Sequence, residues 1–266
     1  MNKEIVGKVA VITGSAAGIG KGIAQHLLDM DYKLLLVDRN EKQLLQTVDE
    51  LRQQGGSGTN VQFITGDLTS ISFCKTIVSF AKEEFGTVDV LVNCAGIFPS
   101  KPALQIEESD WDAVYNLNVK SLFFLTQEVV DFMIANKVKD GSIVNITSTA
   151  SEVARPGVSH YCSSKAAVKM LTQVLALEFA PYGIRVNAVG PGLVETETLF
   201  NTLTNEEAIK EHEEKLSYSP LKRSAKIEEI ASAVAFLSGD QATYITGQNL
   251  LVDGGYSAGR VYKTFG

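Results

Sequence analysis

Val9-Ala10-Val11-Ile12-Thr13 runs without a break into Gly14-Ser15-Ala16-Ala17-Gly18-Ile19-Gly20. The first five residues are apolar or β-branched with no polar alternation, the pattern of a strand covered on both faces in a parallel sheet. The glycines that follow permit positive φ and a close backbone approach, so the chain can turn sharply and enter a helix. A helix starting there presents free amides and the positive end of its dipole, a place for a pyrophosphate. The spacing is Gly-x-x-x-Gly-x-Gly, distinct from the commoner Gly-x-Gly-x-x-Gly dinucleotide turn. A nucleoside-triphosphate P-loop is excluded, because Ser15 stands where its first glycine belongs and Gly22 where a Ser or Thr must follow Lys21.

Outward from this turn the strand–helix alternation repeats along the chain. Strands are predicted at Val9–Thr13, Lys33–Val37, Val61–Thr65, Val88–Asn93, Ser142–Thr147, Ile184–Val189 and Asn249–Val252. Helices are predicted at about 19–30, 41–54, 70–85, 109–136, 160–180 and 227–238. This is the pattern of βαβ units, an α/β protein with helices on both faces of a parallel sheet. The 266 residues allow one large domain or, on length alone, two small ones. There is no internal repeat, and Gln53–Asn60 is a loop too short to divide domains. Residues 195–220 interrupt the alternation as the longest irregular insertion, carrying the acidic run Asn205–Lys215. That run reads as a solvated helix face, with a lid over a site as the alternative.

Composition narrows the class. At 45% hydrophobic and 21% charged residues the chain is an ordinary globular protein. A net charge of −7 with no basic cluster argues against a nucleic-acid surface. No apolar run approaches a membrane span, and Met1–Lys8 lacks the h-region of a signal peptide. Cys74, Cys94 and Cys162 are odd in number and widely spaced, as reduced thiols of a cytoplasmic protein would be. His26, His160 and His212 share no metal-ligand spacing, so no metal site is expected.

Two further features carry chemistry. Asp38 ends the second strand, where a carboxylate takes the adenosine ribose hydroxyls and repels a 2′-phosphate; this favours NAD over NADP, with Arg39 the dissenting neighbour. Capping of the next helix is the plain alternative for Asp38. Tyr161 and Lys165 stand four residues apart, on one face of a helix. A cation beside a phenol favours the phenolate and lowers its pKa, which suits general acid–base work. Ser148 ends an apolar run thirteen residues before Tyr161. Taken singly, Ser148 could merely end a strand and Lys165 could be a solvated charge.

Together these motifs resemble the short-chain dehydrogenase/reductase family over nearly the whole chain. Thr13–Gly20 looks like its TGxxxGxG cofactor turn, and Gly66-Asp67-Leu68 like the segment whose aspartate holds the adenine. Asn93-Cys94-Ala95-Gly96 matches the NNAG motif except at Cys94, a departure expected to affect packing more than chemistry. Asn118 falls where the family keeps a relay asparagine. Pro191-Gly192-Leu193-Val194-Glu195-Thr196 resembles the turn that holds the nicotinamide carboxamide, and Leu251-Val252-Asp253-Gly254-Gly255 is a typical ending.

The resemblance implies a doubly wound, Rossmann-type sheet of seven parallel strands in the order 3-2-1-4-5-6-7, forming a single domain over 1–266. It implies Asn118, Ser148, Tyr161 and Lys165 as catalytic residues. It implies a cofactor site made by Gly14, Ser15, Gly18, Ile19, Gly20, Asp38, Arg39, Asp67, Leu68, Asn93, Ala95, Gly96, Tyr161, Lys165, Pro191, Gly192, Val194 and Thr196. Tyr161 would move the substrate proton, Lys165 would lower its pKa and hold the nicotinamide ribose, Ser148 would steady the developing alkoxide, and Asn118 would place a relay water. The family also implies a homo-oligomer, dimer or tetramer, packed through the helices at 109–136 and 160–180.

The substrate would be a small alcohol or carbonyl compound. Its pocket is expected from Ile97–Ser100, Ala150–Arg155 and 195–220. Phe98, Leu199, Phe200 and Tyr218 suggest a partly apolar wall, and Glu152 and Arg155 are either polar substrate contacts or surface charges. The nearest rival is a 3-oxoacyl thioester reductase, expected to favour NADP. A non-catalytic dinucleotide sensor is the rival of another class, and would usually have lost Tyr161 or Lys165.

Overall fold

Seven strands form one parallel sheet in the order β3-β2-β1-β4-β5-β6-β7. They are β1 (Val9–Thr13), β2 (Lys33–Asp38), β3 (Val61–Thr65), β4 (Val90–Asn93), β5 (Ser142–Ile146), β6 (Arg185–Pro191) and β7 (Asn249–Val252). The computed structural model describes residues 7–55, 60–201 and 204–259. The N-terminal stretch read as lacking a signal peptide, the middle of the Gln53–Asn60 loop and positions 202–203 of the acidic insertion lie outside the described residues.

The lack of alternation in the strands is explained by cover on both faces. Ala10 and Ile12 of β1 and Leu34 and Leu36 of β2 face one core, with Ile23 and Leu27 of α1 (Gly18–Asp29), Leu44 and Val48 of α2 (Glu41–Gly55) and Ile230 and Val234 of α9 (Ile227–Ser238). Val9, Val11, Leu35 and Val37 face the other, with Ile77 and Phe85 of α3 (Ile71–Phe85), Leu125 and Val129 of α5 (Leu122–Ala135) and Leu175 of α6 (Ser159–Phe179). Burying each such side chain contributes roughly 1.5–3 kcal/mol. The order of strands reverses between β1 and β4, and the crevice beyond the carboxyl ends at that switch point is where ligands bind in such sheets.

Two expectations are corrected. The predicted helix 109–136 is three pieces: α4 (Glu108–Tyr115), a π-helical turn over Asn116–Ser121, and α5. The insertion at 195–220 is less irregular than expected: a short α7 (Glu197–Phe200) precedes α8 (Glu206–Ser217), which is the solvated helix read in the acidic run and is capped by the Asn205 side chain on the Ala208 amide. None of the α8 residues is buried. No helix among the described residues is long and apolar enough to cross a membrane.

Candidate active site

The turn after β1 is held from several sides. The Gly14 amide donates to Val37 O at 2.8 Å, and the Val37 amide donates to the Ser15 hydroxyl at 2.9 Å. Ser15 is fully buried, its amide and hydroxyl both tied to Val37, so it locks the turn to β2. Gly14 sits at φ +67°, and a Cβ there would lie 2.8 Å from Ala95 Cα. At Gly20 a Cβ would come within 2.1 Å of Gly14 O, so the start of α1 folds directly onto the turn. Ile19 packs against the core. The helix begins with no side-chain cap and no acidic residue in its first turn, leaving its amides and dipole for an anion.

Asp38 accepts from the Ala16 amide at 3.1 Å and the Asn40 amide at 3.0 Å. Its carboxylate is thereby aimed across the turn rather than capping α2, whose start is tied instead by Asn40 accepting from the Gln43 amide. Arg39 is exposed beside it and makes no ion pair among the described residues. Asp67 is exposed and turns its own loop through the Thr69 amide, whereas the Leu68 side chain lies in the core.

Behind the turn, Thr13 Oγ1 accepts from the Cys94 and Ala95 amides, both at 3.1 Å. The Asn93 side chain points away into a buried polar chain, donating to Thr126 Oγ1 at 3.0 Å and to Asn145 Oδ1 at 2.9 Å; Asn145 donates on to Thr172. It ties β4 and β5 to α5 and α6. Asn118, in the π-turn, is buried and clasps the backbone of Ile97 with both ends of its amide, at 2.9 and 3.0 Å, and donates to Ser164 Oγ at 3.2 Å. The place of a Cβ on Gly96 is 3.1 Å from Asn118 Oδ1 and 3.6 Å from Lys165 Nζ, so these three residues meet.

Ser148, Tyr161 and Lys165 are brought together at the ends of β5 and α6. Ser148 leaves β5 and accepts from the Ala150 amide at 3.1 Å, which fixes its hydroxyl against the Tyr161 phenol as a hydrogen-bonding neighbour. Lys165 is 5% exposed, donates to Ile146 O at 2.7 Å and lies 5.8 Å from the centre of the Tyr161 ring. The electrostatics differ from the expectation that Lys165 depresses the tyrosine pKa. Burial raises the Tyr161 phenol above its ordinary 10.0, the Ser148 hydroxyl pulling it back in part. Burial also pushes the Lys165 ammonium down to about 8. Desolvation is the largest cause of both shifts, and neither group figures among the causes of the other's.

At the third side, Gly192 approaches Asp253 so closely that a Cβ would lie 2.9 Å from Asp253 Cα, following Pro191 at the end of β6. Val194 is core, and the Thr196 hydroxyl accepts from the Leu199 amide as the cap of α7. A Cβ on Gly18 would meet nothing nearer than the Thr196 methyl at 3.8 Å. Gly18 and Thr196 thus stand within van der Waals reach of each other, and the uncapped start of α1 beside them has free amides that fit the pyrophosphate of a dinucleotide.

Of the suggested pocket residues, Phe98 meets the site directly: its ring stands edge-on to Tyr161, centroids 4.5 Å apart. Phe200 and Tyr218 are more than half exposed on the insertion. Glu152 is engaged by Lys169 at 2.7 Å and Asn249 at 3.1 Å. The π-turn and the Ile97 clasp were not foreseen from the sequence, the only trace being Asn118 itself.

A family model described as enoyl-(acyl carrier protein) reductase matches residues 14–257. The chain belongs to the short-chain dehydrogenase/reductase family. Among its relatives, glucose 1-dehydrogenase 2 of Bacillus subtilis (strain 168) is 35% identical over 258 residues, covering 96% of each chain. A crystal structure from Agrobacterium tumefaciens, provisionally named 2-deoxy-d-gluconate 3-dehydrogenase and holding NADP, superposes with a TM-score of 0.86 at 33% identity, covering 96% of this chain and 98% of that one. A 3-ketoacyl-(acyl-carrier-protein) reductase from Brucella melitensis, complexed with NADH, gives 0.85 at 31% identity over 94% and 98%. As a member of this family the chain is an oxidoreductase of alcohol and ketone groups that binds a nicotinamide dinucleotide.

Proposed function

We propose that the chain is a dehydrogenase of a small secondary alcohol, or reductase of the matching ketone, that uses NAD in preference to NADP. The observation that carries this reading is the meeting of Ser148, Tyr161 and Lys165 at the carboxyl end of β5. Gly18, Ile19 and Gly20 offer the pyrophosphate the free amides at the start of α1, and Gly14 and Ser15, tied to Val37, set the turn that aims them. Asp38 takes the ribose hydroxyls and opposes a 2′-phosphate, Arg39 stacking nearby. Asp67 and Leu68 hold the adenine, the latter through its main chain. Ala95 and Gly96 line the adenosine side with Asn93 as the post behind them, and Pro191, Gly192, Val194 and Thr196 hold the carboxamide.

When bound, the nicotinamide supplies the carbon that accepts or gives the hydride and, oxidised, a positive charge beside the phenol. Tyr161 Oη takes the alcohol proton during oxidation and returns it during reduction. Ser148 donates to the substrate oxygen and holds its developing charge with a dipole already fixed by Ala150. Lys165 holds the nicotinamide ribose and relays the proton. Asn118, clasped to Ile97, fixes the loop wall and places the relay water.

The whole chain, 1–266, is read as one domain, with 195–220 an insertion that covers the substrate. Three free cysteines support a cytoplasmic location. The exposed apolar residues Met170, Val174 and Leu177 on α6 support a homodimer or tetramer. The test is the near-ultraviolet absorbance of reduced nicotinamide, followed with NAD or NADP across sugars, polyols, hydroxy acids, secondary alcohols and β-hydroxyacyl thioesters. Turnover with NAD in preference to NADP is expected. Selective turnover of thioesters would favour the rival reductase, and dinucleotide binding without any turnover would favour a sensor.

A further inference from the structure

The loops that follow β4 and β5 are stitched together at the mouth of the site. The Lys101 amide donates to Gly157 O at 2.7 Å, and Ser100 Oγ donates to the same oxygen at 3.3 Å. This places Phe98 between two partners: its ring is edge-on to Tyr161, and the Arg155 guanidinium lies over it, 5.4 Å from the centroid. Tyr161, Phe98 and Arg155 form a continuous row leading outward from the reacting phenol.

The other cations at this mouth are matched. Lys101 pairs with Asp110, Lys169 with Glu152 at 2.7 Å, and Lys165 is buried on the Ile146 carbonyl. Arg155 is exposed, and no carboxylate among the described residues lies within ion-pair distance of it. Glu211 on α8 feels its charge but is itself paired with Lys215 at 2.6 Å. Stacking on Phe98 holds a guanidinium while leaving its N–H edge free, the geometry suited to a planar or tetrahedral anion. In a chain of net charge −7, an unmatched arginine held by a ring that touches the acid–base tyrosine is out of keeping with a merely solvated charge.

We infer that Arg155 is a specificity-determining residue that binds an anionic group of the substrate, a carboxylate or a phosphate, while the substrate's carbinol lies on Tyr161 and Ser148 and its intervening carbons cross the Phe98 ring. The inference rests on the dehydrogenase reading above and names the class of alcohol: a hydroxy acid or a polyol phosphate.

The test compares matched pairs with the wild-type protein, Arg155→Gln and Arg155→Lys. Gluconate is paired with gluconamide and 3-hydroxybutyrate with 3-hydroxybutyramide for the carboxylate; glucose 6-phosphate is paired with glucose for the phosphate. The wild type is expected to prefer the anionic member of at least one pair by about 10- to 100-fold in kcat/KM, mostly through KM, as one charge-assisted contact allows. Arg155→Gln is expected to erase that preference and Arg155→Lys to keep part of it. Calorimetric titration of the NADH-loaded protein with each anion reads binding apart from turnover. An anion that binds the wild type but not Arg155→Gln, with no compound turned over, would sustain the anion site at Arg155 and count against the dehydrogenase reading on which its role in specificity rests. Turnover of neutral members alone, or an anion preference that survives in Arg155→Gln, would overturn the inference and leave the dehydrogenase. Neither binding nor turnover of any anion would also overturn it.

Discussion

At the scale of the residue, the site is governed by burial. Lys165 is charged in the unfolded chain up to 10.5 but in the folded protein only up to about 8. Below about 8 both states hold the proton, and the cost of burying the charge is present in full. Between the two values the unfolded state binds more protons, so this residue's contribution to stability improves as pH rises through that window. At about 1.4 kcal/mol per unit, the cost at neutral pH is roughly 3 kcal/mol. Removing the ammonium also leaves the Ile146 carbonyl without its donor, which costs about 1–3 kcal/mol. Lys165→Met is therefore expected to leave the protein as stable as the wild type or up to about 2 kcal/mol more stable at pH 7 in urea unfolding, any gain vanishing toward pH 10, while turnover is lost. A destabilised Lys165→Met would show that the lysine is held by more than its carbonyl. The Tyr161 phenol, raised by desolvation, sets a second expectation. Alcohol oxidation needs the phenolate, so its kcat/KM should climb from neutral to alkaline pH, whereas ketone reduction should hold or fall. A flat oxidation profile would contradict the assignment of Tyr161 as the base.

At the scale of the element, the phosphate turn depends on backbone contact more than on side chains. Gly20→Ala places a methyl 2.1 Å from Gly14 O, so NADH binding measured by fluorescence should be abolished. Asp38→Ser should leave the turn intact and bring NADP use up to or above NAD, read from the ratio of kcat/KM values; an unchanged ratio would remove Asp38 from cofactor choice. The strands were legible because apolar runs covered on both faces have a plain signature, and Tyr161 and Lys165 because helix geometry converts a spacing of four into a shared face. The π-turn at Asn116–Ser121 was not, since one extra residue barely disturbs the apolar pattern running from α4 into α5. Nor was the helicity of 195–220 beyond its acidic run, as α7 is a single four-residue turn, too short to show any helical period. The row Tyr161–Phe98–Arg155 joins loops distant in sequence, and no local pattern encodes such a meeting.

At the scale of the whole molecule, the two cores on either side of the sheet make the carboxyl ends of the strands a fixed rim, on which the loops carrying Phe98, Ser148, Arg155 and Thr196 are set. The outer surface of α6 carries a stripe of exposed apolar residues: Leu177 is 78% exposed, near Met170 at 58% and Val174 at 41%. The proposed homo-oligomer would cover this stripe, since large exposed apolar patches mark interaction surfaces. Light scattering should give the mass of a dimer or tetramer, and Leu177→Glu should lower it. A monomer in the wild type would require another role for that helix face.

The central claim is that Tyr161 carries the proton in a site whose cofactor is bound by other groups. The most direct measurement pairs NADH titration by fluorescence with steady-state turnover in Tyr161→Phe. The account predicts nearly unchanged NADH affinity with kcat reduced by about 100- to 10,000-fold, the range of general acid–base catalysis. Turnover close to that of the wild type would contradict it.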